Sequence, residues 1–331
     1  MPAGAATLTV TNTADSGAGT LRNLVGSASA GDTIKFTNTL SGQIITLTSG
    51  QIVLSNNVTI DGSALTNQIV LNGNHASRLF TVTNATVLLD SLTLTNGFAD
   101  TDNNAHGDIP SNRGGGIYNY GNLIVNRCTF AGNHSSHGGG AINAIAGSLT
   151  VSNSTFYNNN AGYGGGAIIN YAPATMNQCT VVSNSATAYP GGLFGFAGTL
   201  TLKNSIVAAN FSPPGNGDQN LQGTVITSGA NLISGDPKLA PLGNYGGSTP
   251  TMPPLPGSPA IDGCTSGTSL PPTSAACRAS SAPTRTSARW SFRHCWPLRL
   301  RAGNRCSPGP PTSRATFCRA PPIWLRPPGG L

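Results

Sequence analysis

The chain has 331 residues with 43 glycines and 24 prolines, yet only 8% are charged and 6% aromatic. Hydrophobic residues still reach 38% and alternate with Thr, Ser and Asn in short runs, which excludes a disordered polyelectrolyte and favours short strands with many turns. The formal charge of +7 does not imply a nucleic-acid partner, because residues 1–263 carry four Arg and three Lys against all ten Asp, while residues 264–331 carry ten Arg and no acid.

In chain order, Met1 to Val10 lacks the basic start and apolar core of a signal peptide. Leu21, Leu24, Val25 and Ala28 then follow helical spacing behind Thr20, with Gly31 as a stop. This predicts a short helical cap within residues 1–32. Strand-like pieces follow at Ile34 to Phe36, Gln43 to Thr48, Ile52 to Leu54, Val58 to Ile60, Gln68 to Leu71, Leu79 to Val82 and Val87 to Thr95. No stretch approaches the roughly 20 apolar residues of a membrane span.

Four segments then align: GGGIYNYGNLIVNRCTFAGN, GGGAINAIAGSLTVSNSTFYNN, GGGAIINYAPATMNQCTVVSN and GGLFGFAGTLTLKNSIVAAN. Each ends on an asparagine, and Asn133, Asn159, Asn184 and Asn210 stand 26, 25 and 26 residues apart. A period of that length is one coil of a solenoid whose strands pair with the coils above and below about 4.8 Å away. Asparagine suits such stacking, since its amide can bond an identical neighbour one coil on. Phe130, Phe156, Val181 and Val207 share one repeat position and are expected to form an interior column. Cys128 and Cys179 share another, with Ser154 between them, so they should lie two coils apart, roughly 9 to 10 Å and too far for a disulfide. The expected fold is all-β: a single right-handed parallel β-helix over residues 33–235, a closing module over 236–263, and an irregular or disordered tail over 264–331. The chain is expected to be monomeric.

The one cluster of acids in the middle of the chain is the loop GFADTDNNAHGDIPSNR. Asp100, Asp102 and Asn104 mimic the first three ligand positions of a calcium loop and Asp108 the ninth, but Ala105 and Ser111 replace its glycine and closing glutamate. A looser oxygen cage for Ca²⁺ is the metal candidate; no other cofactor is expected. For a polysaccharide lyase or glycoside hydrolase, Asp100, Asp102 and Asp108 would supply the carboxylates and Arg113 the base or substrate clamp. Residues 114–210 contain no Asp or Glu, which favours binding or structure over catalysis. His134 and His137 lack a nearby third ligand and read as surface residues. Arg127 and Lys203 read as outward solubility charges.

Gly139-Gly140-Ala141-Ile142, Gly165-Gly166-Ala167-Ile168, Phe130 to Asn133 and Phe156 to Asn159 resemble the Gly-Gly-Ala-Ile and Phe-x-x-Asn hallmarks of bacterial β-helix proteins of the polymorphic outer-membrane-protein type. The opening VTNTADSGAGTLRNLVGSASAGDTIKF is similar to the start of CSLREA-type repeat proteins, with Thr20-Leu21-Arg22 keeping part of that signature. Residues 236–263 resemble a choice-of-anchor-like closing module. The resemblance implies a secreted or cell-surface protein whose export signal lies outside this chain, acting in adhesion or in contact with polysaccharide or the cell envelope. A pectin-lyase-like enzyme or a structural stalk are the alternatives. The closing module of that family continues with Thr-Asp-Gln-Arg-Gly. Read one base earlier, with Thr273 as the junction, the codons of Thr273 to Phe292 can spell TDQRGLPRVIGPDADIGAVEF, so the basic tail is read as a frameshift product. Resequencing the gene checks this.

Overall fold

A computed structural model describes residues 4–100 and 112–261. Every strand pairing within its three sheets, of 12, 7 and 4 strands, is parallel, and they wrap into a β-solenoid of about eight turns. One outward column gives the register. Thr7, Thr33, Thr59, Leu88, Ile124, Thr150, Thr175, Thr201 and Ile226 follow one another along the long sheet, one per coil. The stack thus includes Thr7–Val10, which precedes the helix and pairs with Thr33–Phe36. No helix among the described residues is long and apolar enough to cross a membrane.

Inside, the pleat alternates as the sequence pattern requires. In Ser148–Ser152, Leu149 and Val151 are buried, with Thr150 exposed between them. The column of Phe130, Phe156, Val181 and Val207 is wholly buried, and Phe130 and Phe156 stack at 4.8 Å with their rings 3° from parallel, one coil spacing apart. Cys128 and Cys179 are free and buried. Each takes a backbone hydrogen bond onto the serine of the next coil, Cys128 N–H to Ser154 Oγ at 3.1 Å and Cys179 N–H to Ser205 Oγ at 3.1 Å. Burial pushes both thiols up to about 12.

The N-terminal end is closed by the helix Leu21–Ser27, whose Thr20 cap accepts from Asn23 N–H at 3.3 Å and whose Leu21 and Val25 face the core. Arg22 pins it. Its guanidinium holds Asp15 at 2.7 Å and donates to the carbonyls of Gly50 and Gln51, while Asp15 also accepts from the backbone of Thr48 and Ser49. Burial alone would raise the Asp15 pKa, but the bonds from Arg22, Thr48 and Ser49 and the charge of Arg22 outweigh it, so the carboxyl titrates below its ordinary range.

After the last strand, Leu221–Ser228, the chain turns back and runs along the outside of the seven-stranded sheet. Leu239, Met252 and Ala260 pack on Val182, Ile206 and Ala208, as Tyr157 also does. Further along, Thr249 Oγ donates to the Arg127 carbonyl at 2.9 Å, and Thr129 Oγ to the Pro250 carbonyl at 2.6 Å. Thr129, Thr155, Thr180 and Ile206 are register partners in successive coils, so this strap crosses roughly 14 Å of stacked strands.

Candidate functional site

The asparagine ladder forms at one bend. Asn133 Nδ2 donates to Asn159 Oδ1, Asn159 to Asn184 and Asn184 to Asn210, each at 2.9 Å, and Asn210 donates to Asn220 at 3.1 Å. The same Oδ1 atoms accept the backbone N–H of the preceding asparagine at 3.0 to 3.1 Å. Asn220 is a rung that the 26-residue period misses, because only ten residues separate it from Asn210. Wholly or almost wholly buried from Asn133 to Asn210, these amides are structural and are not presented to a ligand, and only Asn220 at the end of the run is partly exposed.

Of the loop candidates, Asp102, Asn104 and Asp108 lie outside the described residues, while Asp100 and Arg113 are described on either side of them. Among the described residues no group of three His, Cys, Asp or Glu side chains is placed to hold a metal. Arg127 is not the free outward charge expected. It grips Asp90 with two nitrogens, at 2.6 and 2.9 Å, across adjacent coils. His134 is half-buried, stacked on Phe98 at 5.1 Å and bonded through Nδ1 to Asn160 Oδ1 at 2.8 Å.

Beside the glycine turns the structure assembles something the composition conceals, a shelf of rings. His137 stacks on Tyr163 at 4.8 Å, and Tyr163 meets Tyr189 at 4.6 Å. Tyr189 stacks on Phe194 at 4.9 Å, Phe194 meets Phe196 edge-on at 5.3 Å, and Phe196 leans on Tyr171 at 4.9 Å. The backbone sets this run, since Tyr163 N–H bonds the His137 carbonyl and Tyr189 N–H the Tyr163 carbonyl, each in the coil before. Gly164 makes room for it: a Cβ there would stand 2.7 Å from the Tyr189 Cβ and 2.9 Å from the Phe194 ring. Phe196 is 45% exposed, whereas Tyr163, Tyr171 and Tyr189 are half-buried.

Two arginines border the shelf. The Arg113 guanidinium lies 5.7 Å over the Tyr171 ring. Arg78 is fully buried; its nitrogens reach the Arg113 and Gly114 carbonyls, Gln51 Oε1 and Thr81 Oγ, and its guanidinium lies 5.3 Å from the centre of Tyr118. Arg78 therefore fixes the backbone that carries Arg113. Partial burial and the nearby Arg113 charge lower the His137 pKa, keeping its imidazole neutral near pH 7. Burial raises the Tyr118 hydroxyl, with Arg113 and Arg78 opposing it.

Only the residue immediately before a glycine triplet could have signalled the shelf: Arg113-Gly114, His137-Gly138 and Tyr163-Gly164 each place a flat side chain at the same turn. The chain matches no protein-family model, no curated protein and no solved structure. The class defined by the structure is the parallel β-solenoid with an internal asparagine ladder.

Proposed function

We propose that the protein is a secreted or cell-surface β-helix that contacts glycan, in adhesion or at a cell envelope, without catalysing its cleavage. The ring shelf carries this reading. Most surface aromatics of a monomer stand singly, but here rings from successive coils meet in an unbroken series that remains partly open. Tyrosine and histidine offer apolar faces for sugar C–H surfaces and polar edges for hydroxyls, a combination suited to a rigid binding ledge. The surface placement rests on the Gly-Gly-Ala-Ile and Phe-x-x-Asn resemblance.

The test is incubation of the whole chain with a panel of neutral and acidic polysaccharides, with and without Ca²⁺, following both retention and release of reducing or unsaturated ends. Saturable retention on at least one polysaccharide without product release is expected, and Phe196→Ala or Tyr171→Ala should weaken it about tenfold. Turnover abolished by Asp102→Asn would replace the binding reading with an enzyme, and neither retention nor turnover would leave a stalk.

A further inference from the structure

Resting on the glycan-contact reading above, we infer that the ligand of this shelf is anionic, with sugar rings seated on Tyr163, Tyr171 and Phe196 and a carboxylate or sulfate held by Arg113.

Three observations converge on that chemistry. The first is the state of Arg113. Arg22 and Arg127 are each engaged by a carboxylate at 2.7 and 2.6 Å, whereas among the described residues no carboxylate lies within ion-pair distance of Arg113, whose partner is the face of Tyr171. A cation–π contact at that distance uses none of the guanidinium's N–H groups as donors, which leaves a fork that matches two oxygens of one anion. The second is pre-organisation. The Arg113 carbonyl accepts from two nitrogens of the buried Arg78, at 3.1 and 2.6 Å, so the backbone under the cation is fixed before a ligand arrives. The third is the charge of the surroundings. The coils of residues 114–210 that carry the shelf contain no Asp or Glu, so an anion laid along them meets no opposing carboxylate from those coils. Burial first, and the nearby Arg113 charge second, lower the His137 pKa.

A ligand of this kind would lie along the solenoid axis, its sugars over rings from successive coils and its charge at the Arg113 end. A neutral glycan would use the rings and leave the guanidinium idle. Affinity should therefore depend on charge, and the charge dependence should map to one residue.

The basic residues 264–331 complicate a direct assay, since ten arginines attract any polyanion. Charge-matched variants of the whole chain separate the two effects. Arg113→Gln removes one charge from the shelf, and Lys203→Gln removes one from an exposed position off it. Binding is measured by surface plasmon resonance to alginate against its neutral propylene glycol ester, and to dextran sulfate against dextran. The expected result is binding to alginate, dextran sulfate or both over the uncharged counterpart, weakened about tenfold by Arg113→Gln, as for loss of one charge-assisted bidentate contact, and unchanged by Lys203→Gln. Whichever polyanion shows this pattern identifies the anion. Equal loss in the two variants, or none in Arg113→Gln, overturns the inference. Retention on the neutral glycans that Phe196→Ala abolishes, with no Arg113 dependence, also overturns it but leaves the glycan-contact reading standing; absence of binding to all four polysaccharides sinks both.

Discussion

Two outer surfaces built from the same repeat meet opposite fates in this molecule. The flank of the seven-stranded sheet carries Thr129, Thr155, Tyr157, Val182, Ile206 and Ala208, and the strap of residues 236–261 lies over it. The turn side carries His137, Tyr163, Tyr189, Phe194 and Phe196, and no described segment covers its outermost rings. A stacked repeat multiplies whatever stands at each position, so small apolar and hydroxyl side chains yield a smooth wall that the chain can tile with itself. Planar side chains yield a ledge of stacked rings. The difference between a wall and a ledge comes from which side chains each coil turns outward.

The deepest cut at this comparison is one that should destroy both surfaces together. Asn159→Ala removes an amide that accepts from Asn133 and donates to Phe130 O and Asn184 Oδ1. With several buried groups orphaned, unfolding free energy in a urea titration should fall by about 3 to 5 kcal/mol. A loss below 1 kcal/mol would show that the bend does not depend on its ladder.

Next comes the helical cap, remote from both surfaces. Asp15→Asn leaves Arg22 without its ion pair and should cost about 2 kcal/mol. The same carboxylate predicts a pH dependence. Its folded pKa is depressed below 3.8, so its contribution is fully present well above that value and is lost as pH falls through 3.8 towards the folded pKa. Acid unfolding of the Asn variant should lack that component.

The wall and the ledge separate in the two smaller effects. Leu239→Asp should loosen the strap alone, at about 1 to 2 kcal/mol, and make residues 236–261 the first site of limited proteolysis while glycan retention persists. Phe196→Ala should change stability by less than about 0.5 kcal/mol, because the ring is half in solvent, yet weaken retention. If the strap variant lost retention and the ring variant kept it, the two surfaces would have been assigned the wrong way round.

The period, the alternation and the ladder from Asn133 to Asn210 were legible because a solenoid repeats its local chemistry, and Thr20 with Leu21 and Val25 announced the helix by the usual capping and spacing. The strap left no such trace. Its bonds from Thr249 to Arg127 and from Thr129 to Pro250 join residues 122 and 121 apart in sequence, and a contact made once has no period. The shelf was hidden differently. Composition reads 6% aromatic as scarcity, whereas the solenoid gathers several of those rings onto one side. Arg127 was misread for a similar reason, since Asp90 stands 37 residues before it and only the coil register makes them neighbours.

The ladder also has a direction. From Asn133 to Asn210, each asparagine accepts from the coil before it and donates into the coil after it, so a bend is completed only when the next coil arrives. One hydrogen of each amide is held by a carbonyl of the preceding coil, while the other finds its acceptor 25 or 26 residues on for Asn133, Asn159 and Asn184 and ten residues on for Asn210. Asn220 ends the run by turning its own amide to the Ile233 carbonyl. The ladder thus hands its last amide to a backbone carbonyl instead of a further asparagine, and one cross-coil donor is satisfied locally at the end of the run.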